Sequence, residues 1–162
     1  MSDSQWRWDV INSRVRDVSL TQQALHSFDD FIIRKIPAIV GANNTIQVKS
    51  QLVDNAPTRL VEFSNPIFRQ TSVVEKNQDV RPLTPKEARL RDLTFSAPMY
   101  VDITFYHDQT MPSTREQYKE IYIGRMPIMV RSSLGSNIPA NTECEHDPGG
   151  YFIINGNEKI VI

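Results

Sequence analysis

The chain is poor in metal-ligating and redox-active side chains: one cysteine, Cys144, and three histidines, His26, His107 and His146, among 162 residues. A single thiol excludes an internal disulfide, and so few soft ligands form none of the spaced pairs of a structural zinc site. Cys144, Glu145, His146 and Asp147 do fall together. They read as polar loop residues, because no third group stands at a spacing that would orient a Cys–His nucleophile. His26 reads as a helix-surface residue and His107 as a strand-boundary residue. An excess of charge is also missing: 18 Lys+Arg against 19 Asp+Glu leave a formal net charge of -1. No whole-molecule field therefore draws nucleic acid or an anionic membrane, and any such contact has to be local. Long apolar runs are absent, since Pro, Gly or a charge interrupts each one well short of the ~20 residues a membrane-spanning helix needs. The first residues lack the basic segment followed by an apolar one that marks secretion, so an intracellular protein is expected. There is no repeat of solenoid period.

What the chain does have is enough apolar content, 40 %, for one ordinary core, which at this length hides roughly two thirds of the unfolded surface. A single domain over residues 1–162 is expected. Near the start, Trp8, Ile11, Val15 and Val18 recur at helical period and predict an amphipathic helix with one buried stripe. A second helix follows, with Ser19 and Gln22 as a capping box, an apolar face of Leu25, Phe28, Phe31, Ile32 and Ile36, and Pro37 as its limit. The two predict a helical hairpin. Turns are expected at 41–44 and at Asn65-Pro66, with strands at 45–48 and 59–63.

Thr84, Pro85 and Glu87 form a compact helix start, in which the hydroxyl caps, the proline takes the first helical position and the carboxylate can return a bond to the cap. Val101, Ile103 and Phe105 then alternate with Tyr100, Asp102, Thr104 and Tyr106, predicting a strand with one apolar and one partly polar face. A polar connection over 110–117 leads to a further strand at Ile121 and Ile123, continuing from Met126 to Val130, with Pro127 marking an edge. Segments 151–154 and 159–162 flank Asn155-Gly156, the pair that most readily takes the left-handed dihedrals of a tight hairpin turn. The expected fold class is α+β, with amino-terminal helices packed on a mostly antiparallel sheet.

Four basic residues, Arg81, Lys86, Arg89 and Arg91, fall within eleven positions, and Arg125 and Arg131 flank a second apolar run. These six are the candidates for a surface that contacts phosphates without reading bases. Asp79, Glu87 and Asp92 are interleaved with them, so ion pairs within the fold are the competing reading. Tyr106, Tyr118 and Tyr122 pose the same choice between stacking on bases and packing on a sheet face.

Three ordered blocks carry a family resemblance: TPKEARLRDLTFSAPMYVDI at 84–103, IGRMPIMVRSS at 123–133 and GGYFIINGNEKIVI at 149–162. Together they resemble the amino-terminal, protrusion region of the second-largest subunit of DNA-directed RNA polymerase, of the eukaryotic, archaeal and large-DNA-virus type. Trp8, Val10 and Ile11 and the segment QQALHSFDDFI at 22–32 resemble that family's opening helices. Glu87, Arg89, Arg91, Leu93 and Thr94 match one motif, and Gly124, Arg125, Pro127, Ile128 and Met129 a second. Gly149, Gly150, Phe152, Ile153, Asn155, Gly156, Glu158 and Lys159 match the terminal hairpin.

The resemblance implies a structural part that frames the DNA cleft during transcription and has no catalytic residue of its own. It implies as partners the rest of the second-largest subunit, other polymerase subunits, template DNA and initiation factors, with no membrane. Magnesium is implied only in the assembled nucleotidyltransferase, mainly on the largest subunit. The implied location is intracellular: nucleus, virion or viral replication site. Ending at Ile162, directly after the second hairpin strand, is expected of a split or truncated subunit or of an interrupted gene. The alternative function is a freestanding module that docks on polymerase subunits or transcription factors.

Overall fold

In the computed structural model of the chain, residues 3–17, 20–48, 59–106, 115–136, 143–144 and 146–161 are described. The fold is α+β, and its contacts gather into two compact units, one of Met1–Asp29, Leu83–Phe95 and Pro127–Ile162 and the other of Asp30–Pro82 and Ser96–Met126.

The second of these units is built on a four-stranded sheet. It comprises β1 (Thr45–Val48), β2 (Arg59–Phe68), β5 (Ser96–Tyr106) and β6 (Arg115–Pro127), in that spatial order. β1 and β5 both pair antiparallel with β2, through Ile46↔Val61 and Phe63↔Ile103 among others. Asn65-Pro66 does not end β2. Asn65 takes φ 52°, and the register with β5 shifts between Ser64 and Ile67, so the dipeptide makes a bulge that the strand passes through. A bulge accommodates both peculiarities of the pair, a left-handed asparagine and a proline without an N–H for the ladder.

The alternation expected for β5 is also modified. Val101 and Thr104, three apart, are the buried residues of its middle, while Ile103 and Phe105 stay half-buried. β6 begins at Arg115, so the expected polar connection of 110–117 gives way to strand over its last three residues. β6 is an edge strand, as its Pro127 requires, but it stops there.

Helix α3 (Ile36–Ala42) packs on β2, and a π-helical turn (Phe31–Lys35) precedes it. Pro37 therefore lies inside a helix instead of ending one. It occupies the first turn of α3, where a missing N–H is tolerated, and the wider π turn shifts the hydrogen-bond pattern just before it. Gly41 and Ala42 remain helical, so the turn expected at 41–44 is confined to its end. Ile32 and Ile36 are buried, whereas Phe31, placed on the same face by sequence period, is 40 % exposed. A short hairpin, β3 (Ser72–Val74) with β4 (Val80–Pro82), completes the unit. Its strands are too brief for alternation to reveal them.

In the other unit, α1 (Asp3–Asp17) forms as expected, but the described part of its stripe is not buried: Trp8 is 60 % and Ile11 50 % exposed. Val18 and Ser19 lie outside the described residues, and nothing is described of the Val15 side chain. At the start of α2 (Gln22–Asp30) the Thr21 carbonyl accepts from Leu25 N–H, and the Thr21 hydroxyl donates to Pro148 O at 2.7 Å. α2 turns Phe28 inward onto Phe152, ring centroids 5.4 Å apart.

The core of this unit is Leu83, Ala88, Phe95, Ile128, Met129, Val130 and Ile153. Ile128, Met129 and Val130 are thus core, and they do not continue β6, which ends at Pro127. They are laced in by single backbone bonds, Ile128 N–H to Phe95 O and Val130 N–H to Tyr151 O, both 2.9 Å, while Phe95 N–H reaches Ile153 O. α4 (Pro85–Leu90) starts as the sequence predicts, with the Thr84 hydroxyl accepting from Glu87 N–H at 3.2 Å.

β7 (Phe152–Ile154) and β8 (Asn157–Lys159) flank Asn155-Gly156, with φ 49° and 75° at the two turn residues. The hairpin is the one expected, but its second strand begins two residues earlier, directly after the turn. Ile160 and Val161 lie beyond it, about three quarters exposed.

Candidate functional site

The six basic candidates separate by what holds them. In the unit containing α4, Arg89 projects from the helix into a cage of acceptors. Its Nε donates to Glu158 Oε1 at 2.8 Å and its Nη1 to Glu143 Oε2 at 2.9 Å. Its Nη2 donates to Tyr151 Oη at 2.5 Å and lies 3.8 Å from Asp147 Oδ2. The Tyr151 hydroxyl in turn donates to Asp147 Oδ2 at 2.5 Å. Partial burial by itself disfavours the Arg89 charge, but the bonds to Glu143 and Glu158 more than offset it and push the guanidinium pKa up. Burial, and then the hydrogen bond to Asp147, hold the Tyr151 hydroxyl well above its ordinary pKa. One arginine thus fastens α4 to the terminal hairpin and to the segment around Glu143.

Arg91, at the end of α4, donates to Glu87 at 2.7 Å, one helical turn back. Lys86 lies in the first turn of α4 with its side chain exposed. Its backbone N–H is satisfied by Glu143 Oε1 at 2.6 Å, and its ammonium makes no ion pair among the described residues. Arg131 adopts φ 65° and donates to Cys144 O at 2.9 Å.

Glycines close the same unit. A Cβ on Gly149 would stand 2.6 Å from Val130 O, and one on Gly150 2.7 Å from Thr21 Cβ, with both residues at positive φ. A Cβ on Gly156 would meet Asp92 Oδ1 at 2.6 Å. Pro85 is fully buried, whereas Thr84 serves the same unit as the cap of α4 and Asn155 as the first residue of the hairpin turn, at φ 49°.

In the sheet unit, Arg81 on β4 pairs with Glu75 at 2.7 Å. Asp79 accepts instead from Asn77, and Asp92 lies against Gly156, so only Glu87 of the three interleaved carboxylates plays the part expected of it. Arg125, beside Gly124 on β6, bonds to Ser96 and Ser72. The three tyrosines are engaged within the sheet. Tyr118 meets Phe105 edge-on at 5.7 Å, Tyr122 meets Tyr100 at 5.8 Å, and the Tyr106 hydroxyl donates to Glu62 at 2.8 Å.

Cys144 and His146 are both exposed, and among the described residues no group of three or more His, Cys, Asp or Glu is placed to share a metal. His107 lies outside the described residues, and His26 approaches Gln22 at 3.5 Å on an exposed helix face. Sequence reasoning missed Glu143, Asp147, Tyr151 and Glu158 as partners of Arg89. All four sit more than fifty positions away from it, and only their clustering of acceptors near the terminal glycines hints at a shared cation.

Residues 19–162 match the family described as RNA polymerase beta subunit. The chain belongs to that family. It is 34 % identical over 176 residues to DNA-directed RNA polymerase II subunit 2 of Arabidopsis thaliana, covering 96 % of this chain and 15 % of that protein. Against DNA-directed RNA polymerase III subunit rpc2 of Dictyostelium discoideum it is 34 % identical, over 96 % of this chain and 10 % of the relative. Against DNA-directed RNA polymerase subunit Rpo2 of Sulfolobus acidocaldarius it is 32 % identical, over 100 % of this chain and 14 % of the relative. The chain therefore spans a small fraction of the length of the relatives it matches. The likeness is to the second-largest polymerase subunit across eukaryotic and archaeal enzymes, and Arg89, Glu158, Gly149, Gly150 and Gly156 all fall inside the matched region.

Proposed function

We propose that the chain is the amino-terminal, protrusion-like part of the second-largest subunit of a DNA-directed RNA polymerase, a single domain over 1–162 that frames the DNA cleft during transcription. The observation that carries this reading is the family match over residues 19–162, which includes all three sequence blocks and the terminal hairpin. The chain acts by shape. Arg89, the glycines at 149, 150 and 156, and the capped helix α4 hold a fixed surface, and catalysis of nucleotidyl transfer belongs to the assembled enzyme. Its magnesium is held mainly by the largest subunit.

Partners on this reading are the remaining part of the second-largest subunit, the other polymerase subunits, template DNA and initiation factors, in the nucleus, the virion or a viral replication site. DNA contact is directed at phosphates and is weak for the chain alone, because a net charge of -1 supplies no general attraction. Among the described residues Lys86 is the α4 cation that makes no ion pair, so Lys86→Ala is expected to leave the melting temperature unchanged while lowering DNA retention equally across unrelated sequences.

The test of the function is affinity capture of the tagged chain from its native source, followed by assay of the captured material for template-dependent ribonucleotide incorporation. The expected result is polymerase activity with the largest subunit present in equal amount. Capture of the chain without polymerase subunits or activity would overturn the proposal, and capture in substoichiometric amount would favour a docking module.

A further inference from the structure

Arg125 is held differently from the arginines that pair with carboxylates. Its Nε donates to Ser96 Oγ at 3.0 Å, and its Nη2 donates to Ser96 O at 3.0 Å, to Ser72 Oγ at 3.4 Å and to Ser72 O. Every one of these acceptors is neutral. Ser72 and Ser96 are themselves buried, so the guanidinium is pinned from below by fixed groups while the residue as a whole stays exposed. Arg81, Arg89 and Arg91 each face a carboxylate at 2.7–2.9 Å. Arg125 has none among the described residues, and its Nη1 takes no part in the four bonds. β6, which carries it, is an edge strand, exposed along residues 115–123. A long side chain has thus been ordered in advance by the fold, and among the described residues no carboxylate pairs with its charge and no acceptor takes its Nη1.

We infer that Arg125 is a preset phosphate-contact residue, the point in the sheet unit at which nucleic acid is held. This rests on the proposed polymerase reading and sharpens it, since it selects one of six basic candidates and gives a reason. Ordering an arginine normally opposes binding through lost rotamer freedom. Here folding has already met that cost through Ser72 and Ser96. The Nη1 donors left at the guanidinium edge lie in a fixed plane, which suits a phosphate oxyanion better than an ammonium does. Arg89, by contrast, is committed to three carboxylates and a tyrosine and contributes nothing to such contact.

The test is a fluorescence-anisotropy titration of a mixed-sequence DNA duplex at several salt concentrations. The parent, Arg125→Gln, Arg125→Lys and Ser96→Ala are compared as the purified chain and within the captured polymerase, each with its melting temperature. Arg125→Gln is expected to weaken retention severalfold and to reduce the slope of log affinity against log salt by about 1. Arg125→Lys and Ser96→Ala keep the charge, so they should keep the slope while losing affinity through lost placement. Lys also guards against a Gln variant that fails to fold.

An unchanged slope in Arg125→Gln, with a salt-dependent parent, would overturn the inference and leave the polymerase reading standing on Lys86 or other cations. A parent that retains no DNA in either setting would remove the reading itself. Displacement of the duplex by poly-glutamate at equal charge concentration would assign Arg125 to an acidic protein partner and overturn the phosphate assignment.

Discussion

Gly156 and Arg89 show how single residues fix this chain's surface. At Gly156 a branched side chain meets two penalties, φ 75° and a Cβ placed 2.6 Å from Asp92 Oδ1. Gly156→Val is therefore expected to cost about 1–3 kcal/mol in chemical denaturation; an unchanged denaturation midpoint would refute the tight-turn account. Arg89 couples most strongly to its better-buried partner: the Glu143 side chain is 14 % exposed and that of Glu158 55 %. Double-mutant cycles should give about 1–2 kcal/mol with Glu143 and under about 1 kcal/mol with Glu158, because exposed pairs are screened. Equal couplings would place the anchor elsewhere.

Tyr151 adds a pH dependence. Its folded pKa is raised above the unfolded value of about 10, so the unfolded chain releases this proton first as pH rises. Its contribution is present below pH ~10 and is lost above it. Stability between pH 9 and 11 should fall more steeply in the parent than in Tyr151→Phe, with Tyr106 and Tyr118 common to both. Parallel curves would show that the buried hydroxyl does not matter to the balance.

Among the elements, those whose signal is local were readable in the sequence. Thr84-Pro85 started a helix because a cap and a preset φ act within four residues, and Asn155-Gly156 made a turn because both positions need φ > 0. Thr84→Ala should accordingly destabilise by about 0.5–2 kcal/mol, and Thr84→Ser should restore most of that loss; equal thermal midpoints for both variants would contradict the cap. β1 matched its expected bounds. Elements whose geometry is set by a neighbour were not readable. Asn65-Pro66 resembles a turn until β5 pairs on both sides of it, and Pro37 resembles a stop until the preceding π turn makes its missing N–H harmless. The β3–β4 hairpin has three residues a strand, too few for a period of two to show. Helix α1 had the right period but the wrong inference, since a stripe states which residues could be buried and not that anything covers them.

At the scale of the whole molecule, the chain's class and family were legible because three ordered blocks in its second half and the opening helices carry the pattern together, and the match over residues 19–162 agrees with them. The partners of the basic residues were not. Net charge and spacing cannot tell a cation facing solvent from one facing Glu143 or Glu158, because those carboxylates come from distant segments that only the fold brings beside Arg89. The central claim is one of position: a rigid, non-catalytic surface beside DNA in a polymerase. A cryo-electron-microscopy map of the captured assembly bound to a DNA duplex tests it most directly. The account predicts density for this chain along the wall of the DNA cleft, continuous with the rest of the second-largest subunit, with β6 and Arg125 facing the duplex. Density for the chain on an outer surface away from the cleft, or a polymerase complete without it, would contradict the account.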